Sequence, residues 1–201
     1  MKRLVLLAIF LFLLIFPKNV FASEFFDTDT RVLYSIQNTG STNVRFETSL
    51  TNKTGESYAS SYTLFVGFKS LENVGARDSL GEAAVELSKS DRGTEIKVKF
   101  NDKVVGKGNR LNFTISFDTF EVAQSQGRVW EVNVPGLQNA NDFQTFSASV
   151  IVPQNLGKPV YIKPQLSRVA TSSANTTVFT KAELGNSGIS MAYGDYQVYK
   201  F

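Results

Sequence analysis

The chain of 201 residues contains no cysteine and no histidine. Together these absences exclude Ser-His-Asp and Cys-His nucleophiles, imidazole acid-base catalysis and the usual zinc ligand sets. A Ser-Lys arrangement would need serine three residues before lysine, and no lysine here has one. With no disulfide available, a folded unit must be held by apolar burial and strand pairing. Methionine (2) and tryptophan (1) are scarce, but phenylalanine numbers 17. Each buried phenylalanine contributes about 1.5–3 kcal/mol, so inward-facing rings are the expected core.

An excess of one charge sign is also missing. The formal charge is only +3, and Lys2, Arg3 and Lys18 account for it: removing those three of 21 basic residues leaves 18 against 18 acidic ones. A balanced surface offers no counterion-release footprint for nucleic acid and no polybasic patch for anionic lipid. The expected partner is a protein or a cell-envelope component. Membrane contact is expected only through an uncleaved leader or an anchor beyond the sequence.

Long apolar runs are absent but for one, Leu4 to Phe16, which follows Lys2-Arg3 and ends in Pro17-Lys18-Asn19-Val20-Phe21-Ala22. That is the pattern of a secretory signal peptide, with cleavage expected after Ala22. Its thirteen residues fall short of the roughly 20 that span a bilayer. The product is expected to be exported, extracellular or associated with the cell envelope.

What the mature chain does have is alternation with period two, the mark of half-buried strands. Val44, Phe46 and Leu50 face one way with Thr48 between them, against charged and polar neighbours. Ile96, Val98 and Phe100 oppose Glu95, Lys97 and Lys99; Leu111, Phe113, Ile115 and Phe117 oppose Asn112, Thr114 and Ser116. Trp130, Val132 and Val134 oppose Glu131 and Asn133, and Phe146 to Val152 behaves alike. Tyr62 to Phe68 is apolar on both faces and reads as a covered central strand. Turn residues such as Asn52-Lys53-Thr54-Gly55, Gly106-Lys107-Gly108-Asn109 and Pro135-Gly136 punctuate these runs. Arg77 to Ser90 reads as a loop leading into a short strand, and Gly106-Lys107-Gly108 as a hairpin turn.

The predicted class is all-β, an antiparallel immunoglobulin-like β-sandwich with extra strands after a Pro/Ser/Thr-rich linker. The predicted organisation is a signal peptide over 1–22, a β-sandwich domain over 23–157, and over 158–201 a linker with strands of a second β unit. The last strand either returns to the first sheet as an edge or begins something longer.

No residue is assigned a catalytic, cofactor-binding or metal-ligating role, and no cofactor is expected. Asp27-Thr28-Asp29 and Asn101-Asp102 supply oxygens of the kind calcium takes, but ordinary Asx turns explain them equally well. Asn52, Asn112 and Asn175 head N-x-T sequons, acceptors only in a glycosylating secretory pathway. The loops 101–110 and 122–128 are candidate contact surfaces. An alternative role as a glycan- or peptide-binding module would use aromatic side chains such as Tyr58 and Tyr62 exposed together.

The leader, the stretch Thr51 to Ala59, the run Gly127 to Pro135 and the closing Tyr193 to Phe201 together resemble the N-terminal, non-catalytic portion of bacterial exported transglutaminase-like proteins. In that family β-sandwich modules precede a Cys-His-Asp domain, so the resemblance implies a non-enzymatic scaffold or interaction module. A fold-level likeness to ribophorin I is fainter.

Overall fold

The computed structural model describes residues 25–137, 139–165, 175–185 and 187–194. The expected leader, most of the Ser/Thr-rich stretch and the closing residues 195–201 lie outside them. The alternating segments form strands β1 (Phe26–Ile36), β2 (Thr42–Asn52), β3 (Ser61–Val66), β4 (Glu72–Asp78), β5 (Gly81–Ser90), β6 (Gly93–Lys99) and β7 (Arg110–Thr119). They continue as β8 (Ala123–Gln126), β9 (Val129–Val134), β10 (Thr145–Ile151), β11 (Tyr161–Lys163), β12 (Thr176–Thr180) and β13 (Ile189–Gly194). Helical structure among the described residues is limited to the turn Lys181–Leu184 and two 3-10 turns, Ala140–Asp142 and Gln154–Leu156. None of it is long and apolar enough to cross a membrane.

One sheet has nine strands in the order β12-β10-β1-β2-β7-β4-β5-β6-β3, and a second has four in the order β11-β13-β9-β8. Among the described residues every pairing is antiparallel except β1 with β10. The all-β, largely antiparallel class is the one alternation predicts. The strand order is that of one long curled sheet with a smaller companion, and by itself it does not reproduce an immunoglobulin-like arrangement. Strands from either side of residue 157 pair with each other: β12 lies on β10, and β13 on β9.

Alternation sets the faces and register builds the core. Val32, Phe46 and Ile115 are direct neighbours across β1, β2 and β7, as are Tyr34, Val44 and Phe117, and all six are buried. Thr30 and Thr48 share the inner face, and their hydroxyls pair at 3.1 Å, so neither is left unsatisfied.

The curl has a local cause. The β4–β7 pairing shifts register between Glu72 and Gly75, and Asn73 there adopts φ 51°. Such a bulge bends the strand and adds twist, and asparagine tolerates the left-handed region better than most residues. Asp118 anchors it, accepting from the side-chain amides of Asn73 and Asn43, each at 2.8 Å. Beyond the bulge the sheet folds over its own inner face. The Tyr62 ring of β3 stands 5.0 Å from that of Phe113 in β7, although four sheet positions separate the strands. Phe68 and Phe46 flank Phe117 at 6.1 and 6.2 Å, which closes the core within the curl.

Three sequence readings are corrected. Arg77 to Ser90 is a hairpin of β4 and β5, joined by Ser79-Leu80; the Asp78 carboxylate accepting the Leu80 N–H at 2.9 Å supplies the turn signal. Gly106-Lys107-Gly108 lies not in a hairpin but in the loop from β6 to β7, which do not pair, and Gly108 N–H donates to the Asn52 carbonyl at 2.7 Å. Tyr62 to Phe68 falls at the terminal strand of the large sheet rather than a central one. Its second face, Thr63, Phe65 and Gly67, is exposed and borders a groove whose far wall is the Pro135–Phe146 segment.

Candidate functional site

The outer face of the large sheet is polar, and a groove of about 560 Å³ lies on it. Strand pairing assembles it in rows. One row runs Ser147, Arg31, Glu47, Thr114, Arg77 across β10, β1, β2, β7 and β4. The next runs Thr145, Asp29, Ser49, Asn112. Adjacent strands are about 4.8 Å apart, so members of a row are in side-chain reach of their neighbours.

Most groups on this face have partners. Glu47 is ion-paired with Arg45 at 3.3 Å, Asp29 accepts from the Thr145 hydroxyl at 2.6 Å, and Arg77 stands 4.0 Å from Glu82. Asp78, at the groove's end, is buried. Burial alone would push its carboxyl up, but the N–H groups of Asn101, Asp102 and Leu80 outweigh it and hold the carboxyl below its ordinary value. Two groups differ. Arg31 is exposed and, among the described residues, has no ion-pair partner. Ser49 is half-buried, and its hydroxyl oxygen, itself shut off from solvent, has no hydrogen-bond partner among the described residues.

A second groove, about 280 Å³, is apolar and lies between Thr63–Phe68 and Pro135–Phe146. Its walls include Tyr34, Phe46, Phe65, Phe143 and Phe146, with Asp142 at the edge. Burial, and then the nearby Asp142 carboxylate, push the Tyr62 hydroxyl up to about 12.

The residues that sequence reading set aside as alternatives take structural places. Asp27 pairs with Lys53 at 3.4 Å, and Thr28 points into the core. Asn101 donates its side-chain amide to the Glu82 carbonyl at 2.8 Å, while Asp102 accepts from the Ser79 hydroxyl. Among the described residues no three metal-capable side chains converge. Asn52 is 2% exposed; its amide donates to the Ser57 carbonyl at 2.5 Å and its oxygen accepts from Thr54, so it is a buried turn anchor, not an acceptor for a glycan. Of the proposed contact loops, 122–128 is largely β8, a hairpin with β9.

Among the described residues the exposed aromatic rings do not lie on one strand face. The exposed rings Tyr58, Phe65, Phe120 and Tyr161 sit on separate segments, whereas Trp130 and Tyr62 pack against the core. The glycan- or peptide-binding alternative loses its basis, because alternation directs most strand aromatics inward and the exposed ones are scattered over different strands and loops. The polar groove was invisible to sequence reading for the same reason: its residues are the outward members of strands, ordinarily read as solvated, and only register gathers them.

No family model matches the chain, and no curated protein matches it in sequence. Solved structures do match in fold. An aminopeptidase N family protein from Idiomarina loihiensis superposes with a TM-score of 0.50 at 8% identity, over 87% of this chain and 30% of its own. Native leukotriene A4 hydrolase from Saccharomyces cerevisiae gives 0.49 at 14% identity, over 88% and 30%. An M1 zinc metallopeptidase from Deinococcus radiodurans, bound to a Tyr-Ser-Ala substrate, gives 0.44 at 11%, over 85% and 42%. This chain therefore spans about a third of the length of the first of these neighbours. The neighbour that superposes at a TM-score of 0.50 is an aminopeptidase N family protein and not a transglutaminase-like or ribophorin chain, so the transglutaminase-like resemblance, the fainter likeness to ribophorin I and the role drawn from them are overturned. Leader, turns and alternating strands recur in unrelated antiparallel folds and could not discriminate between them.

Proposed function

We propose that this chain is a β-rich module that accompanies a zinc aminopeptidase-type catalytic unit and does not itself perform the chemistry. The observation carrying this reading is the superposition on the Idiomarina aminopeptidase N family protein, which covers 87% of this chain but only 30% of the other. The composition supports the division of labour: an H-E-x-x-H zinc site needs two histidines, and this chain has none. The leader at Lys2 to Ala22 supports an exported setting, and the catalytic unit would be the protein partner. Among finer fold assignments, the strand order lends no specific support to an immunoglobulin-like sandwich.

Reading the coding sequence beyond codon 201 tests the proposal. An adjoining helix-borne H-E-x-x-H segment is the expected finding. A downstream domain of unrelated chemistry, or zinc-dependent hydrolysis of an aminoacyl amide by the purified chain alone, would refute it.

A further inference from the structure

We propose that the polar groove on the outer sheet face is a binding site for a small zwitterion of the α-amino acid type, carrying a carboxylate beside an ammonium. The inference rests on the groove alone and stands or falls independently of the peptidase reading.

Its centre is a cell of four residues on two paired strands: Asp29 and Arg31 on β1 facing Ser49 and Glu47 on β2. Directly opposed side chains in such a cell have Cβ atoms about 4.5–5.5 Å apart, and diagonal ones about 7–8 Å. All four line the groove. Arg31 brings a guanidinium fork with no ion-pair partner among the described residues, suited to a carboxylate. Asp29 and Glu47 have one described partner each, Thr145 and Arg45, which leaves acceptor capacity on both carboxylates.

The sign pattern selects the ligand. A simple anion drawn to Arg31 would lie against two carboxylates, and a simple cation drawn to those would lie against Arg31. A molecule with both charges on neighbouring atoms meets both demands. Ser49 is a second, independent observation at this cell. The residue is half-buried and lines the groove, and its hydroxyl oxygen is shut off from water with no hydrogen-bond partner among the described residues. Native proteins seldom leave such a group unpaired. A ligand amino or carboxylate group settling between Asp29 and Asn112 would supply the partner.

Three isosteric probes test this on the full chain: L-alanine with both charges, propionate without the ammonium, and ethylamine without the carboxylate. Binding is read from backbone amide shifts in β1 and β2. L-alanine is expected to bind at least about tenfold more tightly than either relative, with Arg31→Gln and Ser49→Ala each weakening it about tenfold. Lys97→Gln, in β6 and outside the groove, should leave it unchanged. Ser49→Ala removes one oxygen and Arg31 is exposed, so both variants should fold, and their spectra will show whether they do. Equal binding of propionate would overturn the assignment in favour of a plain anion site. An absence of β1 and β2 shifts with L-alanine up to roughly ten millimolar would overturn it outright.

Discussion

If the large sheet curls so that its β3 end closes over β7, then Phe117 is the ring both halves share, and truncating it should cost far more than truncating any exposed ring. Phe117 is 0% exposed, sits opposite Val44 and lies between Phe46 and Phe68 at 6.2 and 6.1 Å. Phe117→Ala removes the buried ring and leaves a cavity whose walls are pinned by strand hydrogen bonds on both sides, so collapse is limited. Core Phe→Ala changes of this kind cost about 3–5 kcal/mol. For a chain of this size 1 kcal/mol moves Tm by about 2–4 °C, giving a fall of roughly 6–20 °C. Phe120, three residues on but 53% exposed, is the matched control, and Phe120→Ala should stay within about 0.5 kcal/mol. Thermal melts followed by circular dichroism, with urea midpoints at constant m-value, read both variants. A loss under about 1 kcal/mol for Phe117→Ala, or comparable losses for the two, would refute the closed curl.

Two further outcomes follow from the turns. Asp78 holds three backbone N–H groups, and its carboxyl is depressed below the 3.8 of a free side chain; its contribution is therefore complete above that value and disappears as pH falls through the lower folded-state value. Asp78→Asn should lower the urea midpoint at pH 7 by about 2–3 kcal/mol in free energy and flatten the decline on acidification, and an undiminished acid decline would count against this role. Gly93 adopts φ +148°, and a Cβ there would land on the Val66 carbonyl. Gly93→Ala should cost at least about 1–3 kcal/mol and raise hydrogen exchange first in β3, whereas unchanged protection in β3 would contradict the close approach.

Legibility differed by element. Leu111 to Phe117 declared its inward face correctly because it alternates without a break, and Val44 to Leu50 did so despite the inward Thr48 because its outward members are all polar or charged. The β4–β5 hairpin was missed because Gly75, Ala76, Gly81, Ala83 and Ala84 offer too little side-chain contrast for alternation to show. Tyr62 to Phe68 misled in the other direction, since its second face carries one large apolar side chain, Phe65, and that ring stays exposed at a sheet edge. The groove could not be read at all: Asp29, Arg31, Glu47, Ser49 and Arg77 span 49 positions of the chain between first and last residue number, and each alone is an ordinary outward polar residue.

The order of residues alone established a cysteine- and histidine-free β chain with a phenylalanine core, because composition and period-two alternation act locally and need no partner strand. Which strands became neighbours was decided only in three dimensions. The parallel β1–β10 contact, the bulge at Asn73 that curls the sheet and the gathering of polar side chains on its outer face all depend on pairing between distant segments. Backbone hydrogen bonds are the same for every residue type, so choice of partner and register comes from the fit of whole faces, which a single strand's sequence does not contain.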